Sequence, residues 1–233
     1  MLEWAAALVA WNLLLRGGEV GHVARGENGE PFDPTRDPTF GAIEFRVPCA
    51  DSEGHPWLTF DIVPIKDGKA RARTCPMGVR RRCRGPLGSD PLCVYDAIVM
   101  AWRSATGSDP PALGRAAGAL AGRPFFVGRA GHVWDTTDTR ALAERMAAAL
   151  GLPAAEFGAK SFRVGGATDW RDVFGPDAQR IITLRGRWSS DISLIYQRAL
   201  LEEQLYGSVA VAAASRADLE SVVRSWVQPA TFR

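Results

Sequence analysis

Apolar and polar positions divide the chain into a helical start, a strand-rich middle and a helical C-terminal part. From Leu2 to Arg16 the sequence is almost unbroken Ala, Leu, Val and Trp, interrupted by Glu3 and Asn12. This predicts a buried helix, stopped by Gly17-Gly18. Residues 22–37 are rich in Gly, Pro and acidic groups and read as a loop. Three strand candidates follow, at Gly41 to Val47, Trp57 to Ile65 and Lys69 to Cys75. Asp67-Gly68 is a two-residue hairpin signal between the last two. After a stretch broken by Gly and Pro, Leu92 to Ser104 places Val94, Ile98 and Trp102 on one helical face. Pro110 to Gly122 reads as short helix and linker, and Pro124 to Val127 as a short apolar piece.

The C-terminal part is helical in pattern. Thr137 is placed to cap a helix from about Thr139 to Leu150, ended by Gly151. Further helices are expected at Ala154 to Thr168, its end weakened by Gly165-Gly166, then at Asp177 to Leu184, Asp191 to Leu205 and Ala217 to Val227. One helix, a three-stranded antiparallel sheet and a helical bundle give an α/β (α+β), mainly helical fold. No repeat or coiled coil interrupts it.

Composition changes this picture little. With 233 residues, 46% apolar and 23% charged, the chain can bury a core of ordinary size. No apolar run reaches the ~20 residues a membrane-spanning helix needs, and no cleavage site frames Leu2 to Leu15. An intracellular location is expected, nuclear if the source is eukaryotic. Cys49, Cys75, Cys83 and Cys93 form no Cys-x-x-Cys pair, and His22, His55 and His132 are scattered, so no metal site is expected.

Charge is more telling in its distribution than in its total of +2. Between Lys66 and Arg84 stand eight basic residues, Lys66, Lys69, Arg71, Arg73, Arg80, Arg81, Arg82 and Arg84, against one acidic residue, Asp67. Such a local field suits a phosphate backbone, although a solvated basic loop has the same composition.

Four short motifs carry candidate chemistry. Arg16 precedes Gly17-Gly18-Glu19. Lys66 stands just before the Asp67-Gly68 turn, with Lys69 across it. Lys160 and Arg163 form basic-x-x-Arg, followed by the small residues Gly165, Gly166 and Ala167. Gly186-Arg187-Trp188-Ser189-Ser190 precedes Tyr196. Breaking a DNA phosphodiester asks for these types: a phenol nucleophile, arginine forks against the phosphorane charge, and a proton donor for the leaving 5′-oxygen.

In this order the motifs resemble the catalytic domain of the tyrosine recombinases, the phage-integrase family. The closest likeness is to the versions carried by eukaryotic mobile elements, which often read Gly-Arg-Trp-Ser before the tyrosine. The resemblance implies a catalytic domain over 1–206, a helical tail over 207–233, and an N-terminal core-binding domain missing from this chain. It implies that Tyr196 attacks a scissile phosphate to form a 3′-phosphotyrosyl link, and that another strand's 5′-hydroxyl reverses the step. Arg16 and Arg163 would clamp the phosphate, with Glu19 orienting groups nearby. Lys66, or Lys69 in its place, would protonate the leaving oxygen. Lys160 stands where the family most often has His, and donation to a phosphate oxygen is its safer role. The His-or-Trp place nine residues before the nucleophile falls on Arg187 by count and on Trp188 by residue type, and both stay open.

DNA contact is expected from Lys69, Arg71, Arg73, Arg80, Arg81 and Arg82. The implied partners are DNA and further copies of the chain assembled on it, with no membrane, metal or small-molecule cofactor. Two other readings compete. A degenerate or domesticated mobile-element fragment would bind DNA without catalysis, and an unrelated helical α/β interaction domain would match the motifs by chance. Against each motif stands a plain structural role: a helix-end Arg16 favoured by the macrodipole, an exposed turn lysine, a core Trp188, a packing Tyr196. Tyr95 lies in the Val94 to Trp102 helix, and Tyr206 is the alternative nucleophile.

Overall fold

The computed structural model describes residues 2–22, 31–47, 56–62, 91–128 and 131–172, the backbone of 73–79 and 173–174, and Gln179, Ile182, Thr183 and Gly186. The first helix, α1 (Leu2–Asn12), is apolar on every side, and it is accordingly packed on every side. Ala5 to Ala10 are all buried, between α3 (Val94–Thr106), α4 (Thr136–Ala149) and α5 (Ala159–Phe174).

The helix does not run to Arg16. It ends at Asn12, where the Leu15 N–H bonds the Ala10 carbonyl at 2.9 Å and Leu14 N–H reaches the Trp11 carbonyl at 3.4 Å. This is a Schellman closure. Leu14 fills the left-handed position, φ 53°, that glycine usually takes. Arg16 is extended, φ −73° and ψ 152°, and Gly17-Gly18 begin a second helix, α2 (Gly17–Val20), rather than stopping the first.

The sheet is antiparallel. Three strands, β1 (Ile43–Arg46), β2 (Trp57–Ile62) and β3 (Arg73–Val79), are joined by a two-residue β4 (Gly114–Arg115) in the order β3-β2-β1-β4. β4 lies within the stretch expected to be helix and linker. Alternation decides the faces: Ile43, Phe45, Leu58, Phe60 and Ile62 are buried. They meet an aromatic cluster in which Phe45 stands edge-on to Trp102 at 5.6 Å and Phe40 edge-on to Trp102 at 4.8 Å and Phe125 at 4.9 Å. Outward-facing Glu44 pairs with Arg46 and Arg115, each at 2.9 Å, and Arg115 also reaches Asp61 at 2.7 Å.

β3 starts and ends later than Lys69 to Cys75, passing through Pro76. Edge strands tolerate proline, and a register shift opposite Leu58 and Thr59 absorbs it. Phe60 pairs with Cys75, Asp61 with Thr74 and Ile62 with Arg73. That is the register a two-residue turn at Asp67-Gly68 requires, although the turn lies outside the described residues.

α3 has the expected buried face of Val94, Ile98 and Trp102. α4 is capped two residues earlier than expected, by Asp135 in place of Thr137, and the Asp135 carboxylate accepts from the N–H groups of Thr137 and Asp138. Gly151, at φ 72°, follows its last turn. The helix expected at Ala154 to Thr168 divides into a 3-10 turn, Ala154–Glu156, and α5, which continues through Gly165-Gly166 to Phe174. Those glycines mark close packing instead of an end. A Cβ on Gly166 would lie 2.1 Å from the Trp11 carbonyl oxygen, and one on Gly165 2.7 Å from the Trp11 ring.

The expected helices at 191–205 and 217–227 lie outside the described residues. Gln179, Ile182, Thr183 and Gly186 are helical. Among the described residues no helix is long and apolar enough to cross a membrane.

Candidate phosphate-binding site

The turn between α1 and α2 carries Arg16 and Glu19. Gly17 lets it press against the start of α5, since a Cβ there would stand 2.7 Å from the Ala159 Cβ. Gly17 therefore abuts Ala159, the residue before Lys160. Lys160 is exposed at the first turn of α5, one helical turn before Arg163 and on the same side.

Glu19 is the centre of the arrangement. Its carboxylate has no side-chain exposure. It accepts the Arg16 main-chain N–H at 2.8 Å and the Arg16 guanidinium at 3.1 Å. It also faces the Arg163 guanidinium, 3.9 Å away. Two arginines distant in sequence thus converge on one buried carboxylate, which offsets part of their charge.

The two differ in exposure. The Arg16 side chain keeps 35% of its surface, whereas Arg163 keeps 2%. Arg163 donates from Nη1 to the Leu14 carbonyl at 2.7 Å and from Nη2 to the Gly186 carbonyl at 2.5 Å. It therefore ties the turn preceding Arg16 to the residue that opens the Gly-Arg-Trp-Ser-Ser motif. Leu14, Ala167 and Ile182 form a small apolar cluster of their own that packs Ile182 against α5.

One face of α5 also carries Asp169, whose Oδ2 accepts from the Trp11 indole at 3.1 Å. Partial burial pushes its carboxyl up from the usual Asp range. The indole hydrogen bond opposes this, and the nearby Asp172 charge adds to it.

Of the residues expected to act, Arg16 and Arg163 thus meet at Glu19, and Lys160 follows Ala159, which packs against Gly17. Arg73 is the first residue of β3, paired with Ile62, and only its backbone is described. Lys66, Lys69, Arg71, Arg80, Arg81, Arg82, Arg187, Trp188, Tyr196 and Tyr206 lie outside the described residues. Among the described residues no group of His, Cys, Asp and Glu is arranged to hold a metal ion. Nothing in the residue types points to the Leu14 and Gly186 carbonyls, since a main-chain oxygen has no residue type, nor to the Trp11–Asp169 pair, separated by 158 positions.

Chemically, the solvent-accessible cations here, Arg16 and Lys160, suit an oxyanion, whereas Arg163 is turned inward onto main-chain oxygens. Arg16 offers a planar fork and Lys160 a mobile point charge. Comparison with family models, with curated proteins and with solved structures finds no match to this chain.

Proposed function

We propose that the chain cleaves and rejoins DNA strands in the manner of a tyrosine recombinase. One observation carries the reading: Arg163 bonds the Leu14 and Gly186 carbonyls and faces Glu19, so three motifs spread over more than 170 positions meet at one buried guanidinium. A chance match of motifs gives no reason for them to meet. In this proposal Tyr196 attacks the scissile phosphorus, a 3′-phosphotyrosyl ester forms, and the 5′-oxygen leaves with a proton from Lys66 or Lys69. Arg16, held by Glu19, stabilises the charge that grows on the phosphorane oxygens. The free 5′-hydroxyl of a second strand reverses the step, and the ester conserves the bond energy.

The second reading is a DNA-binding relic that does not cut. It is favoured by the burial of Arg163, whose terminal nitrogens are bonded to main-chain oxygens, and by Lys160 where the family most often has His. A nicked DNA substrate that traps the covalent intermediate separates the two. Cleavage gives a protein–DNA adduct that survives denaturation and vanishes in Tyr196→Phe. Duplex binding without any adduct leaves the relic.

A further inference from the structure

Two arginines share the Glu19 carboxylate, and their surroundings assign them different work. A phosphate oxygen must come within about 3 Å of a guanidinium nitrogen to be held. The Arg16 fork, 35% exposed, is open to such an approach. The Arg163 fork, 2% exposed, is enclosed by the chain, with Leu14 and Gly186 oxygens at 2.7 and 2.5 Å.

We infer that Arg163 is a positioning residue that holds the Arg16 turn and Gly186 in place, and that Arg16 makes the contact to a DNA phosphate. The inference rests on the DNA reading above and refines it. The strain at Leu14 supports it. A non-glycine residue in the left-handed region costs about 1–2 kcal/mol and persists only where its surroundings over-determine it. Leu14 has φ 53°, is fully buried, and gives its carbonyl to Arg163. Arg16 follows two residues later. Arg163 therefore acts on Arg16 from two directions, through the Leu14 carbonyl and through Glu19, which takes both the main-chain N–H and the guanidinium of Arg16. A lysine cannot replace this strut, because a single ammonium lacks the planar fork that spans two carbonyls.

The test uses the full chain. Treatment with an arginine-selective dicarbonyl, read by peptide mass spectrometry, should modify Arg16 readily and leave Arg163 protected until the chain is denatured. Equal modification of the two in the native chain overturns the inference. This arm needs no variant, so it decides the matter even if Arg163 variants fail to fold.

The second arm measures binding to a plain DNA duplex over a range of salt. Arg16→Gln should reduce the slope of log affinity against log salt by ~1, the loss of one phosphate contact. Arg163→Lys retains its charge, yet on its background Arg16→Gln should have little further effect, because Arg16 has lost its orientation. Fully additive effects would make the two arginines independent and overturn the positioning role. If the native chain binds no duplex, the DNA reading fails, while the labelling pattern still decides whether Arg163 is an internal strut.

Discussion

Replacing Gly166 by alanine tests the helix contact on which the site is built. A Cβ there would stand 2.1 Å from the Trp11 carbonyl oxygen and 2.7 Å from Leu14 Cδ2. The leucine end can shift, but the carbonyl belongs to the last turns of α1. Restoring an ordinary contact near about 3.5 Å requires α1 to retreat from α5. Alanine gains about 1 kcal/mol in helix propensity. Against this stand the overpacking cost of about 1–3 kcal/mol and weakening of the charged Arg163 bond to Leu14, worth about 1.5–3 kcal/mol if lost. The net expectation is a loss of about 2–4 kcal/mol, or roughly 4–16 °C in Tm for a chain of this size.

Gly165→Ala is the control. Its Cβ would meet the Trp11 ring at 2.7 Å, and that side chain is at the surface, 37% exposed, so it can yield at the expense of its exposed hydrogen bond to Asp169. It should remain within about 1 kcal/mol of the parent. Both variants are followed by circular dichroism on heating and in urea. A Gly166→Ala chain as stable as Gly165→Ala would refute the described approach of α1 to α5, and with it the placement of Leu14 against Arg163.

Asp169→Asn should stabilise the chain slightly at neutral pH while keeping an acceptor for Trp11. The folded-state carboxyl titrates above its unfolded value, so the native state binds more protons in that window and stability falls as pH rises through it. The parent should lose stability from the ordinary Asp range upward, and the asparagine variant should lack that component; parallel pH–stability curves would show that Asp169 does not supply it. Its exposed edge keeps the effect small. Neutralising Arg80, Arg81 and Arg82 together should flatten the salt dependence of duplex binding without altering Tm, and an unchanged slope would make that cluster a solvated loop.

Much of the fold was legible in the sequence where local pattern and packing agree. The Val94, Ile98, Trp102 stripe is a buried helix face, and Ile43 and Phe45 with Leu58, Phe60 and Ile62 form an inward sheet face. The misreadings arose where a distant partner decides. Gly17 looked like a helix stop, but it is small because Ala159 presses on it. The true stop uses Leu14 in a conformation its residue type disfavours, held by an arginine 149 positions away. Gly165 and Gly166 looked like a frayed end because the carbonyl that fills their space belongs to α1. For the candidate site, residue types and order were readable from the chain. The inward orientation of Arg163 was not, because it depends on two main-chain oxygens supplied by other segments.

The central claim is that Tyr196 is the nucleophile of a DNA strand-cleavage reaction. The most direct measurement traps the adduct on a nicked substrate, digests protein and DNA, and identifies by mass spectrometry which residue carries the nucleotide. The account predicts a 3′-nucleotide on Tyr196, lost in Tyr196→Phe, which removes only the attacking oxygen. It also predicts that Arg16→Ala diminishes the adduct by on the order of 10²–10³ in rate, the usual cost of losing one donor to transition-state charge. A nucleotide mapped to Tyr206 or to any other residue, or duplex binding with no adduct on any trapping substrate, would contradict it.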